Sequence, residues 1–289
     1  MSRRLVWFSC GAASAVAAKI ATKHYDDVEV VYCDLFADEH PDNRRFFSDV
    51  QDWIGHPIRT VTSDKYGSVN DVFATRRYMA GIAGAPCTVE MKKVPRFAYQ
   101  QPDDIHIFGF TADEHHRIAR FDEYNPGLAT QHILLENEVT KDGCLAIIEN
   151  AGIELPAMYL LGYRNNNCLG CVKATSATYW NMVRRDFPDV FQMRAEQSRD
   201  YGARLTRVRG ERVFLDELPA NYLPAEPLEN ISCGPDCGVQ GTLLDTLGGT
   251  DNESVETPTT CEFGDLTCPC NDGDLCHYEG EGPMLGGRR

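Results

Sequence analysis

Residues 5–14 read Leu5-Val-Trp-Phe-Ser-Cys-Gly-Ala-Ala-Ser14, and an Ala-rich stretch continues from there to His24. The run of large apolar residues predicts a short buried strand, and the Ala-rich stretch predicts a helix. The small residues between them predict a turn whose backbone N–H groups can approach a phosphate at the positive end of that helix. A tight turn that serves packing alone is the alternative interpretation.

Further strand and helix patterns alternate through the first half of the chain. The apolar runs at 28–33, 58–61 and 104–110 predict three more strands, and residues 41–54 predict a helix with one apolar face. Such alternation is typical of a Rossmann-like α/β fold, in which a parallel sheet is flanked by helices. Residues 139–209 predict a mostly helical part. In parallel sheets of this kind, ligands bind beyond the carboxyl ends of the strands.

The charge of the chain is unevenly distributed. The 289 residues carry a net charge of −15, and residues 221–289 contain 13 acidic residues against two basic ones. An acidic tail repels phosphate backbones and disfavours a broad nucleic-acid surface, although a local basic groove on the body stays compatible with it. The sequence offers neither the roughly 18–20 apolar residues of a membrane helix nor a signal-peptide core. We therefore expect a cytoplasmic protein with no membrane partner.

Polar residues follow two of the other predicted strands. Asp34 comes directly after the second strand, where an acidic residue often contacts the ribose of a nucleotide, although acidic residues are also common in solvated loops. After the fourth strand, Gly109 is followed by Glu114 and then by Arg117. Glu114 at the start of a helix also complements the helix dipole, so this second motif has a structural explanation as well.

Twelve cysteines are many for a cytoplasmic chain, and their spacing points to metal or redox chemistry. Cys87 lies at a predicted helix start shortly before Lys92, and Cys168 and Cys171 form a CxxC motif. Three thiolates from these two segments can hold an iron–sulfur cluster or zinc, with the lysine offsetting their charge. A zinc knuckle and unrelated buried thiols are the structural alternatives.

The other cysteine group lies in the acidic tail. Cys233 and Cys237 form a CxxxC motif, and Cys276 stands beside His277. We expect a structural zinc site in the tail, because closely spaced cysteines among Gly and Asp residues suit tetrahedral zinc; its expected ligands are Cys261, Cys268 and Cys270. One competing interpretation makes Cys276 a mobile redox thiol, and another makes the tail a store of disulfides, which a reducing cytoplasm disfavours.

Together these features resemble the PP-loop adenine nucleotide alpha-hydrolase superfamily, and within it the phosphoadenosine phosphosulfate reductase-like family. The family loop reads Ser-Gly-Gly-x-Asp-Ser, and Ser9, Gly11 and Ser14 match it, whereas Cys10 and Ala13 replace a glycine and the aspartate. The resemblance covers about residues 5–215. It implies that an adenine nucleotide contacts the loop and the later motifs, through Ser9, Gly11, Ser14, Asp34, Gly109 and Glu114.

Adenylyl-sulfate reductases that contain a cluster carry a Cys-Cys pair, then a lysine and a later CxxC. The resemblance places Cys87 on the first cysteine, Lys92 on the lysine, the motif at 168–171 on the CxxC, and Thr88 where the second cysteine would stand. It thus implies three ligands for a four-iron cluster, unless Cys144 or a tail cysteine supplies the fourth. Related nucleic-acid thiolases use three cysteines and leave one iron open.

The resemblance further implies an enzyme of sulfur metabolism that reduces an adenylylated sulfate to sulfite. Lys92 and Arg117 would act at the reacting group, and Cys276 is the candidate nucleophile, since the reductases end in a Glu-Cys-Gly-x-His motif. The electron donor would be a thiol protein such as thioredoxin. We expect a nucleotide-binding domain over residues 1–222, including a helical cluster-bearing part, and a Cys-rich tail over residues 223–289.

Two other functions remain compatible with the sequence. The first is an ATP-dependent enzyme that adenylates a base or carbonyl and delivers sulfur or nitrogen. It would hold nucleic acid on a basic strip made of Arg184, Arg185, Arg204, Arg207 and Arg209. The second is a regulatory protein that binds a nucleotide or a metal without catalysis, which the altered loop leaves open.

Overall fold

Four parallel strands form the main sheet, in the order β3-β2-β1-β4. The computed structural model describes residues 2–81, 84–222, 231 and 233, and the sheet lies in the first half of that range. Its strands are β1 (Arg4–Phe8), β2 (Val28–Cys33), β3 (Ile58–Val61) and β4 (Ile105–Ile107). The prediction of an α/β fold with a parallel sheet and flanking helices is confirmed.

The helices of the first half connect and cover these strands. They are α1 (Ala12–His24), α2 (Asn43–Ile54), α3 (Val69–Arg76), α4 (Pro86–Thr88), α5 (Val94–Tyr99), α6 (His115–Tyr124) and α7 (Ile133–Glu136). The second half contributes α8 (Lys141–Asn150), α9 (Ala157–Leu160), α10 (Ala177–Asp186), α11 (Pro188–Asp200) and the hairpin of β5 (Thr206–Val208) and β6 (Glu211–Val213). The predicted helical part therefore ends in a short antiparallel hairpin.

The first strand is apolar throughout because both faces of the sheet are covered. Val6 and Phe8 pack on one face with residues of α1, α2 and α8, whereas Leu5 and Trp7 pack on the other with residues of α6. All four side chains are buried. A central parallel strand covered on both faces is expected to be a continuous apolar run rather than an alternating one.

The fourth strand is shorter than the sequence predicts. Residues 104–110 form a pattern of seven, but only Ile105–Ile107 pair with β1. Phe108 and Phe110 still pack against the sheet, while the backbone between them leaves the ladder. Because β4 joins β1 on the side opposite to β2, the carboxyl ends of β1 and β4 flank the point where the strand order reverses, which is where ligands bind in such sheets.

None of the helices in the described ranges combines the length and the apolar character that crossing a membrane requires.

His106 of β4 is a buried neutral group within the sheet. Its side chain is 1% exposed, its ring stacks between Trp7 and Phe108, and its Nδ1 accepts a hydrogen bond of 2.9 Å from Nε1–H of Trp7. Burial, with the positive charge of Arg96 nearby, lowers the pKa of His106 to about 4.

This burial predicts a pH-dependent stability. The unfolded chain protonates His106 near pH 6.5 and the folded chain only near pH 4, so unfolding takes up a proton between these values. The free energy of unfolding should therefore decrease as the pH falls through this window, by about 2 kcal/mol between pH 6.5 and 5. Urea titrations of the wild type and of His106→Gln measure it. His115→Gln, at an exposed position, is the control; equal pH slopes in all three proteins would contradict the prediction.

Candidate functional site

The turn between β1 and α1 is held by its own hydroxyl groups. Ser14 Oγ accepts a hydrogen bond of 3.1 Å from the Ser9 N–H and donates one of 3.0 Å to the Gly11 carbonyl. The Ser9 hydroxyl lies 3.2 Å from that of Ser14. No acidic side chain stands in the first turn of α1, and Gly11 offers no side-chain cap. This turn therefore leaves the positive end of a helix with room for an anion.

Cys10 takes the left-handed backbone conformation that this turn requires. Its φ angle is +54°, a region that favours glycine, and its thiol is fully buried. The backbone thus takes a shape that favours glycine, while the Cys10 side chain fills the core. Burial raises the pKa of the Cys10 thiol well above its usual range.

The first turn of α1 presses directly on Gly109. A Cβ atom at Gly109 would lie 2.8 Å from Ser14 N and 3.1 Å from Ser14 Cα. A side chain is excluded at this point because the neighbouring atoms are backbone. The contact fixes the start of α1 against the end of β4.

A cleft opens at this junction. Its lining joins the loop residues Ser9, Gly11 and Ser14 to Gly109, Glu114 and Arg117, and its other walls come from Glu39, Lys92, Lys141, Tyr159, Asn165, Asn166, Asn167, Ile231 and Cys233. The loop, the later glycine motif, the predicted lysine and a cysteine of the tail thus meet in one cavity. Seven of the residues predicted from sequence to bind nucleotide or act in catalysis line it together: Ser9, Gly11, Ser14, Lys92, Gly109, Glu114 and Arg117.

Two carboxylates, the buried Glu39 and the partly buried Glu114, lie beside cations in the cleft wall. Glu39 accepts hydrogen bonds from Tyr32 Oη at 2.9 Å and from Asn43 Nδ2 at 2.8 Å. Burial raises the pKa of Glu39, and the charge of Lys92 opposes that effect. On the other wall, Arg117 Nη1 lies 2.6 Å from Glu114 Oε1.

Glu114 is itself held in place by the segment after β4. Its Oε2 accepts the Thr111 N–H at 3.0 Å and the Thr111 hydroxyl at 3.1 Å. The Glu114 carboxylate therefore bonds to the segment that leads into α6 and also orients Arg117. The guanidinium of Arg117 lies over the ring of Phe110 as well. Glu114 acts here as a support for the cation in the cleft.

Lys141 is a third cation of the cleft and has an unusual environment. It opens α8, and its Nζ donates a hydrogen bond to Asn165 Oδ1. Burial, with the repulsion of Arg164, lowers the pKa of Lys141 to about 8. An ammonium group with this pKa loses its charge within the range of ordinary assays.

Three consecutive asparagines join the cleft to the cysteine-bearing loop. Asn166 Nδ2 donates to the Cys10 carbonyl at 2.6 Å and to Asn43 Oδ1 at 2.8 Å. Its own Oδ1 is buried and has no hydrogen-bond partner in the described part of the chain. Asn165 and Asn167 both donate to the Ile231 carbonyl, at 3.1 Å and 2.8 Å. The segment that precedes the CxxC therefore anchors both the loop after β1 and Ile231.

Four cysteines, Cys87, Cys168, Cys171 and Cys233, belong to one hydrophobic cluster that also contains residues of α3, α10 and α11. Cys87, Cys168 and Cys171 each interact electrostatically with Cys233, and the Cys171 thiol donates a hydrogen bond to the Cys233 sulfur. This bond raises the pKa of Cys171 and lowers that of Cys233. Thr88 Oγ1 lies 3.7 Å from the same sulfur. As they stand, no three described His, Cys, Asp or Glu side chains form a ready-made metal site.

The CxxC loop is shaped by Gly170 and Arg194. Gly170 has φ +60°, and a Cβ there would lie 2.8 Å from Val190 Cγ1. Arg194, which is 2% exposed, donates from Nε to the Gly170 carbonyl at 3.1 Å. The Cys171 N–H is bound by the Tyr179 hydroxyl at 2.8 Å. These contacts hold the CxxC loop against α10 and α11.

Lys92 faces the cysteines because the helix that carries it contains a π turn. Residues Val89–Lys93 form this wider turn between α4 and α5, and the Val94 N–H bonds to the Val89 carbonyl five residues back. Pro95 follows in α5. A proline ring clashes with the carbonyl four residues earlier in a regular α-helix, and a locally widened helix avoids that clash.

The widened turn also changes which side chains face one another. In an α-helix, residues five apart point about 140° away from each other at about 100° per residue. One additional residue in the turn brings Cys87 and Lys92 onto nearly the same side. Burial acts to lower the pKa of Lys92, but the negative charges of Cys233, Cys168 and Glu39 outweigh it and raise that pKa.

Other predicted residues lie elsewhere. Asp34 Oδ1 accepts the Phe36 N–H at 3.0 Å, and the acidic residue of this segment that lines the cleft is Glu39. Cys144 is buried in α8 within the core of the sheet. Cys276 and the expected zinc ligands Cys261, Cys268 and Cys270 lie outside the described residues.

Several residues of the cleft were not found from the sequence: Glu39, Lys141, Tyr159 and Asn166. Tyr159 reaches the loop from α9 and accepts the Ala12 N–H at 3.3 Å. A lysine at a helix start and a single tyrosine carry no motif. The run of three asparagines directly before the CxxC was the only available signal.

No known family model matches this chain, and no curated protein is significantly similar to it in sequence. Membership of the reductase-like family therefore stays a hypothesis. It rests on the loop, the glycine motif and the cysteines described above.

The contact at Gly109 predicts a strong effect of a single methyl group. Gly109→Ala places a Cβ 2.8 Å from Ser14 N, and the atoms that must shift are backbone. We expect the free energy of unfolding to decrease by about 2–3 kcal/mol. Urea titration measures it, with Gly127→Ala as the matched control because its Cβ would meet no atom within 4 Å. Equal stabilities of the two variants would contradict the assigned contact.

Proposed function

We propose that the protein binds an adenine nucleotide in this cleft and reduces an adenylylated sulfate to sulfite. The observation that supports it best is that one cleft is lined both by the positive end of α1 and by Lys92 and Cys233. A nucleotide whose phosphate end lies at α1 would therefore present a sulfate group to the cations and cysteines of the opposite wall. The reversal of strand order at β1 and β4 supports the same placement.

The charges of the cleft suit this substrate class. Lys92, Arg117 and Lys141 line it, and Glu39 and Glu114 lie behind two of them as supports. A phosphosulfate carries negative charge on both groups, and cations at its sulfate end stabilise the charge that moves onto the phosphate as it leaves. The buried Asn166 Oδ1, which has no partner among the described residues, is typical of an atom that a ligand contacts.

The reaction requires a thiolate nucleophile and a dithiol donor. The thiolate attacks the sulfur of the sulfate group, the bond between that sulfur and the phosphate oxygen breaks, and the nucleoside phosphate leaves. A donor thiolate, as in thioredoxin, then attacks the cysteine sulfur, forms a mixed disulfide with it and releases sulfite; the second donor thiol attacks that mixed disulfide, closes a disulfide on the donor and frees the enzyme thiol. The sulfur gains the two electrons that the donor loses. Cys276 is the proposed nucleophile.

A metal centre fits the cysteines of this region by its chemistry. Thiolates are the ligands that iron–sulfur clusters take, and Cys87, Cys168 and Cys171 would hold such a cluster, with zinc as the alternative. When bound, the cluster would set the electrostatic field at the sulfate end of the cleft. The contacts of Lys92, which joins Glu39 to the cysteines, keep an ammonium group at that end in either case.

Two arginines of the basic strip that would favour a nucleic-acid enzyme bond to other groups of the same chain. Arg184 Nη2 donates to the Leu218 carbonyl at 2.7 Å, and Arg185 pairs with Asp186 at 2.6 Å. These contacts leave the proposal of a small nucleotide substrate as the better supported one.

Binding and product analysis test the proposal. Gly11→Val should abolish binding of adenosine 5′-phosphosulfate in isothermal titration, because the branched side chain fills the mouth of α1. Gly11→Ala is the matched control, since its Cβ meets only ordinary contacts, the nearest at 3.5 Å from Tyr159 Oη. We expect full-length protein with thioredoxin to form sulfite from this nucleotide or its 3′-phosphorylated form. Release of pyrophosphate from ATP would show an adenylating enzyme instead, and binding without a product would show a regulator.

Lys141 predicts a pH dependence of that binding. Its pKa of about 8 means that the ammonium loses its proton between about pH 7 and 9.5, and an anionic ligand then loses one charged contact. The affinity for adenosine 5′-phosphosulfate should fall about tenfold over this range. In Lys141→Met the affinity should already be low at pH 7 and change little. A wild-type affinity that stays constant to pH 9.5 would remove Lys141 from the site.

A further inference from the structure

Cys233 occupies a position that belongs to two sites at once. It lines the nucleotide cleft, and it lies among the thiols of Cys87, Cys168 and Cys171. The sequence offered these three as metal ligands and left the fourth position open. We infer that Cys233 is the fourth thiolate ligand of the iron–sulfur centre, and that this bond fastens the main chain at 231 and 233 along the wall of the cleft.

The other described cysteines are placed where they do not compete for this role. Cys144 is fully buried in α8 and packs in the core of the main sheet. Its electrostatic neighbours there are Asp113, Glu114 and Lys141. Cys10 is fully buried in the same core. Cys33 packs on the opposite face of the sheet, and its thiol donates to the Lys92 carbonyl at 3.6 Å. Cys233 is thus the described cysteine that the other three ligands face.

The surroundings of Cys233 supply the cations and the hydrogen-bond donor that a metal-bound thiolate needs. The Thr88 hydroxyl lies 3.7 Å from its sulfur, and Lys92 and Lys173 place positive charge beside it. Arg194 adds a buried positive charge near Cys87, Cys168 and Cys171. Four thiolates on one cluster need cations and hydrogen-bond donors of this kind around them. Binding of the cluster would release the proton that Cys171 donates to Cys233, and Cys233 would close the last position of the cluster.

The backbone on both sides of this ligand is tied to the cleft. Lys92 Nζ donates to the Cys233 carbonyl, and the Ile231 carbonyl accepts from Asn165 at 3.1 Å and from Asn167 at 2.8 Å. Asn165 also accepts from Lys141. Loss of the cluster would therefore loosen a wall that is shared with a proposed nucleotide-binding cation. The inference rests on the proposed function only in that this cleft holds the nucleotide.

Metal analysis of the full-length protein tests the ligand. The protein is purified without oxygen, supplied with iron and sulfide, and assayed for iron, sulfide and zinc per chain and for its electron paramagnetic resonance spectrum after reduction. We expect about four irons per chain in the wild type. Cys233→Ser should lose at least a quarter of the iron and change the spectrum. Cys237→Ser, four residues further on in the same segment, and Cys144→Ser are the controls and should keep both.

Nucleotide affinity, measured with adenosine monophosphate as the probe, tests the coupling. Cys233→Ser should bind it about five- to tenfold more weakly than the wild type, while Cys237→Ser binds it normally. Unchanged iron and spectrum in Cys233→Ser would overturn the inference, as would one zinc and no iron in the wild type.

The two proposals fail in different ways. A wild type that binds the nucleotide but takes up no iron would overturn the inference alone. One that takes up a cluster sensitive to Cys233→Ser but binds no nucleotide would keep the ligand and overturn the proposed function. Circular dichroism of each variant confirms that a loss of iron does not arise from unfolding.

Discussion

The contact between Gly109 and the first turn of α1 is the constraint on which the cleft depends. Only a residue without a side chain allows Ser14 N to lie where it does, and this approach brings the positive end of the helix to the junction of β1 and β4. Asn166 then extends the same constraint, because it bonds to the Cys10 carbonyl in the loop. Since Cys168 follows Asn166 by two residues, this hydrogen bond also fixes the position of the CxxC motif relative to the loop after β1.

Burial of charge explains why the cysteine side of the cleft is built as it is. Removing an ammonium from water costs several kcal/mol unless opposite charges and hydrogen bonds surround it. Lys92 interacts electrostatically with Glu39 and with the cysteine sulfurs. Each of these groups therefore offsets the cost of burying the charge of its neighbour. A hydrophobic replacement of any one member would leave its neighbours unpaired in the interior. The arrangement is consistent with a polar network that works only when complete.

The sequence predicted those features that depend on local pattern. Apolar runs located all four strands of the main sheet but not the hairpin of β5 and β6, and small residues located the turn that ends at Ser14. What it missed depends on contacts between distant segments. Asp34 and Glu39 both follow β2, and only the bonds of Tyr32 and Asn43 direct the second one into the cleft. Cys233 lies more than sixty residues from the CxxC motif. Spacing alone therefore associates it with Cys237 rather than with the cysteines that lie beside it in the fold.

The π turn at Val89–Lys93 gives this helix, in geometric terms, one residue more than a regular turn holds. No exchange of one side chain for another turns a residue by a third of a circle around a helix axis, whereas a single inserted codon does so at once. The pairing of Cys87 with Lys92 thus depends on the length of this segment as well as on its side chains. A chain one residue shorter between these two positions would therefore turn the lysine away from Cys87 while keeping every side chain.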